Sequence, residues 1–237
     1  RYNLHNKDGS QYRAAQYIYL YLCCMYVVKM PWLVRKWYSE VYWKLPEKEK
    51  IIYLTFDDGP HPFATPLVLE QLKKYGAKAS FFCVGNNVRI YPELTQHIRD
   101  AGHCLGNHTM HHMNGWKVSD EEYIADVTAA AAFLPTGWFR PPYGRIRQRQ
   151  FHQLKQIFPG LQVMMWDVLS ADFDQSLTGE VCAQHVIRHA GPGSVVVFHD
   201  STRAWERLEI ALPKVLEHFS QEGYIFRALP DAELMNQ

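Results

Sequence analysis

From residue 51 onwards the chain alternates short apolar runs with stretches of helical periodicity, and this alternation restricts its fold more than any other feature. Strand-like runs occur at "IIYLTF" (51–56), "ASFFCVG" (79–85), "HCLGNH" (103–108), "WFRPPYG" (138–144), "LQVMMWDV" (161–168), "SVVVFHD" (194–200) and "YIFRAL" (224–229). Between them, "TPLVLEQLKKYGAK" and "YPELTQHIRDAG" carry apolar residues at helical spacing and close on Gly76 and Gly102, as helix C-termini commonly do. "SDEEYIADVTAAAAFL" opens with Ser119 three residues before Glu122, the signature of a capping box. "TGEVCAQHVIRHAGPG" starts at Thr178, and "AWERLEIALPKVLEHFSQEG" contains Pro213, where a kink is expected. Seven strands alternating with helices require right-handed crossovers and therefore a parallel sheet. No long linker or repeat divides the chain, so a single α/β domain is expected, either a doubly wound open sheet or a closed barrel. Neither GxGxxG nor GxxxxGK follows a strand, so the nucleotide-binding form of the open sheet has no support.

Composition narrows the partners. The formal net charge is +1, with 25 basic against 24 acidic residues, which gives no electrostatic footprint for nucleic acid or for an anionic membrane. Nothing points to an obligate protein partner. The five cysteines include no CxxC pair; Cys83 and Cys104 fall in apolar runs and are expected as buried free thiols, which points towards a reducing, cytoplasmic compartment. "YIYLYLCCMYVV" (17–28) is uncharged but shorter than the ~20 residues of a membrane span. Lys29 stands where a signal peptide would need small residues, so no complete export signal is read. Residues 1–29 are expected to be a disordered or non-native N-terminal extension, with the domain running over 30–237.

The ionisable residues gather at the C-terminal ends of the strands: Asp57 and Asp58, His108, Arg140, Asp167 and Asp172, His199 and Asp200. In a βα barrel that face collects the catalytic residues. In "HTMHH", His108 and His112 are four apart, a spacing that puts both rings on one face of a helical turn, while His111 competes for the second place. Two imidazoles and a carboxylate suit a divalent metal with open positions. The adjacent aspartates then take separate jobs, Asp58 at the metal and Asp57 as a base for water. A plain Asp-Gly turn would explain Asp57–Gly59 alone, but it leaves the histidines without a purpose. Arg140, in the proline-stiffened "RPPYG", can pair with the base and keep it ionised. His199 can give a proton to a leaving group if a carboxylate holds its charge, and Asp167, Asp172 and Asp174 are candidates for that partner. Taken singly, each of these residues has an ordinary structural explanation.

Together the segments resemble the polysaccharide deacetylases of the NodB-homology type, carbohydrate esterase family 4, over residues 51–229. "TFDDGP", "HTMHH", "RPPYG" and "VVVFHD" match that family's motifs in order. The resemblance implies a distorted (β/α)7 TIM-like barrel. It implies Asp57 as general base, Asp58, His108 and His112 as metal ligands, and Arg140 as the partner of Asp57. It also implies a Tyr143 backbone N–H for the oxyanion, His199 as general acid with Asp172 as its partner, and Val197 beside the acetyl methyl. Two positions depart from the pattern: Phe173 follows Asp172 where the family commonly has Trp, and Leu169 stands where Asp is frequent. Both bear on the substrate groove rather than on the chemistry.

The expected activity is therefore metal-dependent removal of the N-acetyl group of an amino sugar in an N-acetylated glycan or oligosaccharide. Zinc is the first choice on ligand type, with cobalt or another first-row ion fitting the same donors. The rivals are O-acetyl removal from xylan, a non-catalytic glycan-binding barrel, and an Fe(II) oxygenase on the two-histidine, one-carboxylate set. Trp116, Trp166, Phe173 and Trp205 are either core or sugar-stacking residues.

Overall fold

A computed structural model of the protein describes residues 27–236. The first long strand, β1 (Ile51–Asp57), is buried along all of its length, which is why its sequence is a continuous apolar run instead of an alternating one. In chain order there follow α2 (Ala64–Lys74), β2 (Ala79–Cys83), α3 (Gly85–Ile90), α4 (Pro92–Asp100), β3 (Cys104–Asn107), α5 (Asp120–Ala131) and β4 (Trp138–Phe139). Then come α6 (Gln148–Ile157), β5 (Gln162–Val163), β6 (Val168–Leu169), α7 (Gly179–His189), β7 (Val195–His199), α8 (Trp205–Gln221) and β8 (Ile225–Phe226); a short α1 (Trp32–Trp37) precedes β1. The strand order is β5-β4-β3-β2-β1-β7-β6, with β8 beside the start of β1, and every ladder is parallel. Phe56, Phe81 and Phe198 stack across β2, β1 and β7 and lie in the core beneath α2, α7 and α8.

The expected distorted barrel is found, with eight strands among the described residues where seven were expected. "LQVMMWDV" breaks into β5 and β6 because the carbonyls of Met164 and Met165 turn to accept from the Arg140 guanidinium. No ladder joins β5 to β6. A strap formed by residues 28–45 covers that seam: Tyr42 N–H donates to Val163 O, Met165 N–H to Tyr42 O, and Leu169 N–H to Val28 O. Of the extension expected over residues 1–29, residues 1–26 lie outside the described residues, while Val28 and Lys29 are bonded to the β6 region.

The caps read from the sequence are in place. The Ser119–Glu122 capping box closes both ways, Thr178 Oγ1 accepts from Val181 N–H, and Gly76 and Gly102 are left-handed at φ 59° and 75°. Pro213 sits inside α8. α1, α3 and α6 were not anticipated. α6 is mostly polar and buries only Gln150, Phe151 and Leu154, so its periodicity is thin. Cys83 is a buried free thiol and Cys104 a half-buried one. No helix among the described residues is long and apolar enough to cross a membrane.

Asp167, one of the candidate partners for His199, instead anchors the strap. Its fully buried carboxylate accepts from Lys29 Nζ at 2.6 Å, Arg35 Nη1 at 3.2 Å and Ser194 Oγ at 2.6 Å. Asp167→Ala removes the acceptor for all three and is expected to lower stability by about 1–3 kcal/mol, since the two cations can still reach water. Urea unfolding against the wild type measures that loss; an unchanged midpoint would mean the strap is held by backbone pairing alone.

Candidate metal and catalytic site

The parallel register brings the strand ends to one level. Asp57 lies opposite His199 of β7 and Phe82 of β2, Cys83 lies opposite Asn107, and Asn107 lies opposite Phe139, the residue before Arg140. Five segments far apart in sequence thus end on the same rim.

Asp57 and Asp58 separate because the chain turns between them. Asp57 is the last residue of β1 and almost wholly buried, whereas Asp58 adopts φ 77° and faces the loop after β3. Arg140 is fully buried beneath Asp57. Its Nη1 donates to Asp57 Oδ1 at 2.6 Å and to Thr55 Oγ1 at 2.7 Å, Nε to Met164 O at 2.9 Å, and Nη2 to Met165 O at 2.8 Å. The guanidinium carbon lies 4.0 Å from the Phe82 ring centroid. With the planar fork satisfied on every side, one geometry is enforced and Asp57 faces a permanent cation.

Asp58, His108 and His112 each offer a ligand atom within 4.8 Å of the other two. Asp58 Oδ1 is 3.1 Å from His112 Nε2 and 3.7 Å from His108 Nε2, and the atom is buried. Burial works against the charge of Asp58, but His112, His199 and His108 hold its carboxyl well below the usual carboxylate range. His108 Nδ1 meets the Arg140 carbonyl at 2.8 Å, and a carbonyl can only accept, so Nδ1 carries the proton. Burial pushes the His108 imidazole down to about 4, so at neutral pH its Nε2 is a bare lone pair. A lone pair facing a carboxylate is repulsive unless a cation sits between them. The donor set therefore fits a divalent metal, as the residue types predict.

The histidines do not lie on a helical turn as their spacing suggested. They lie in the loop after β3, where Thr109 and His112 are left-handed at φ 65° and 55°. His111 leaves the contest for the cluster because Asp126 takes it: His111 Nδ1 is 2.6 Å from Asp126 Oδ1, while Met110 and His111 N–H donate to Oδ2. Asp126 was missed in the sequence. The available signal was a carboxylate on the buried face of α5, between Tyr123 and Val127.

His199 is clamped by Asp172, whose Oδ1 takes Nδ1 at 2.7 Å and whose Oδ2 takes the His199 N–H at 2.8 Å. Burial opposes a charge on His199, but the Asp172 carboxylate prevails and the imidazole is pushed up to about 10. Of the three candidate partners, Asp172 alone is in place; Asp174 instead accepts from Ser176. Phe173 sets its ring edge-on to His199, centroids 5.4 Å apart. Tyr143, at φ 60° and well exposed, packs edge-on against His112 at 4.7 Å. Val197 is buried in β7. Trp116, Trp166, Phe173 and Trp205 are all half-buried, neither sealed in the core nor open platforms.

Residues 44–157 match the family described as polysaccharide deacetylase. A peptidoglycan-N-acetylglucosamine deacetylase of Bacillus cereus is 36% identical over 193 residues, covering 78% of this chain and 89% of the relative. A chitooligosaccharide deacetylase of Azorhizobium caulinodans is 32% identical over 164 residues, covering 66% and 77%. The crystal structure of the Bc1960 peptidoglycan N-acetylglucosamine deacetylase, bound to a naphthyl N-hydroxybenzamide, superposes with a TM-score of 0.76 at 28% identity. The match covers 82% of this chain and 94% of that one. The chain belongs to the polysaccharide deacetylase family. It is a hydrolase acting on carbon–nitrogen bonds other than peptide bonds.

The His199–Asp172 clamp has a pH signature. Because the folded imidazole sits above its ordinary 6.5, its contribution to stability is complete below that pH and is lost as pH rises through about 10. Imidazole NMR is expected to show His199 protonated past pH 8, and Asp172→Asn should move its titration down towards 6.5 or below. Unchanged titration in that variant would remove Asp172 as the source of the charge.

Proposed function

We propose that the protein hydrolyses the N-acetyl group of N-acetylglucosamine residues in a glycan, with peptidoglycan the first candidate and chitin-type oligosaccharides the second. The observation that carries this reading is that Asp57, gripped by the Arg140 guanidinium, lies beside the Asp58–His108–His112 cluster, with His199, clamped by Asp172, at the same level of the sheet. The names of the two relatives support the glycan class, because N-acetylglucosamine chemistry is common to both.

In this reading Asp57 accepts the proton of the attacking water, and Arg140 holds the carboxylate aimed. A divalent cation held by Asp58, His108 and His112 would supply Lewis acidity and lower the pKa of water towards ~7, with zinc the best match to two imidazoles and a carboxylate and cobalt or another first-row ion next. The Tyr143 backbone N–H donates to the oxyanion that develops on the acetamide. His199, held protonated by Asp172, gives its proton to the departing amine so that the sugar leaves as a neutral amine. Val197 lies beside the space for the acetyl methyl.

An oxygenase on the same ligands would leave both Asp57–Arg140 and His199–Asp172 without a task, and so would a purely binding barrel. Acetate release from N-acetylglucosamine oligomers, measured with zinc-loaded, chelator-stripped and Asp57→Asn protein, tests the proposal. Release is expected only with the cation present, and Asp57→Asn is expected to lower kcat by about 10²–10⁴ while still binding zinc. Acetate from acetylated xylan alone would move the activity to O-acetyl esters. No acetate from oligomers, peptidoglycan or xylan would sink the enzymatic mechanism.

A further inference from the structure

Among the described residues no backbone hydrogen bond joins the two loops that carry the cation ligands; both are bonded instead to the short segment Cys83–Asn87. On one side, Val84 N–H donates to Gly59 O at 2.9 Å and Asn87 Nδ2 donates to Asp58 O at 2.8 Å. On the other, His108 N–H donates to Cys83 O at 2.9 Å, Gly85 N–H to Thr109 O at 2.9 Å and Asn86 N–H to Met110 O at 3.0 Å. The N–H groups at the start of a helix have no intrahelical acceptor, so the opening of α3 has donors to spare, and they are divided between the Asp58 loop and the His108–His112 loop. Gly85 is what lets the approach be this close: a Cβ there would lie 2.8 Å from Met110 Sδ and 2.9 Å from Ala130 Cβ.

Asp58 gives this arrangement a purpose. A non-glycine residue at φ 77° does not hold that conformation unless its surroundings impose it. The carbonyls of all three turn residues are pinned, Asp57 O by Asp200 N–H, Asp58 O by Asn87 and Gly59 O by Val84. Of these three donors Asn87 is the only side chain, so it can be removed without altering the backbone. It grips the peptide group immediately beyond the Asp58 side chain. We infer that Cys83–Asn87 is a splint that sets the separation of the two ligand-bearing loops, and that Asn87 is a positioning residue for Asp58. This rests on the cation-binding reading of Asp58, His108 and His112.

The test is the zinc affinity of chelator-stripped full-length protein, read by competition with a chromophoric chelator. Asn87→Leu keeps the approximate shape and removes the donor; Asn87→Ala is measured beside it so that a folding failure in one leaves the other. Asn87→Gln retains an amide. Asn86→Ala is the control, because that side chain meets only Arg89 and its backbone N–H is untouched. Zinc binding is expected to weaken about 10–100-fold in Asn87→Leu and Asn87→Ala, to recover in part in Asn87→Gln, and to stay within about twofold in Asn86→Ala, with melting of the stripped proteins recorded to separate loss of fold from loss of position. Wild-type protein that binds zinc, with Asn87→Leu or Asn87→Ala binding within about twofold of it, would overturn the inference while leaving the cation site standing. Wild-type protein that binds no zinc would overturn both.

Discussion

The site depends on one buried guanidinium. Arg140 is fully enclosed, and moving such a cation out of water costs several kcal/mol after relaxation unless its donors are met. Here they are met by Asp57, Thr55 and the carbonyls of Met164 and Met165, with the Phe82 ring beneath the guanidinium plane. The same residue reaches the other half of the site through its backbone, since its carbonyl receives His108 Nδ1. The side chain therefore fixes the position of Asp57, and the main chain fixes which nitrogen of His108 faces Asp58. A shift of Arg140 would disturb both together. The break between β5 and β6, and with it the need for a strap over the seam, follows from the two methionine carbonyls that Arg140 draws inward.

Strain is concentrated in the same place. Among the described residues the non-glycine positions with positive φ are Asp58, Thr109, His112, Tyr143 and Ala171, and every one belongs to a loop at the C-terminal end of the sheet. Each such conformation costs roughly 1–3 kcal/mol and persists only where surrounding bonds impose it. Asn87 and Val84 on the Asp58 turn, Asp126 on the His111 loop, and the Asp172 clamp following Ala171 are such bonds. The buried Asp200, pushed up to about 8 by burial, accepts from Thr65 Oγ1 and leaves no room for a Cβ at Gly59.

Much of this was legible before any coordinates, and for a physical reason. Parallel strands covered on both faces must be continuous apolar runs, so a carboxylate, histidine or arginine that interrupts one marks its end, and in β1, β3, β4 and β7 those ends are the site. The Ser119–Glu122 capping box and the terminal glycines were legible because they are local. What escaped depends on contacts remote in sequence. Nothing within "LQVMMWDV" says that Arg140, twenty-odd residues earlier, will take two of its carbonyls. The i, i+4 spacing of His108 and His112 suggested a helical turn, while left-handed residues in a loop achieve the same convergence. Asp167 and Asp172 look equivalent by residue type, and only the resemblance points to Asp172; in the structure the strap cations, from more than a hundred residues away, mark Asp167 as the anchor. Phe173, where the family resemblance leads one to expect tryptophan, sets its ring edge-on to His199 and leaves the clamp itself intact.

The central claim is that the fold brings Asp58, His108 and His112 together to hold one divalent cation beside Asp57, which Arg140 holds in place. Anomalous diffraction at the zinc edge, on crystals of the full chain exposed to zinc, tests it most directly. A single strong peak is predicted about 2.0–2.2 Å from Asp58 Oδ1 and from the Nε2 atoms of His108 and His112, with Asp57 outside bonding distance and still on Arg140. A peak held by Asp57, or no peak at this cluster while zinc occupies other sites, would contradict the account.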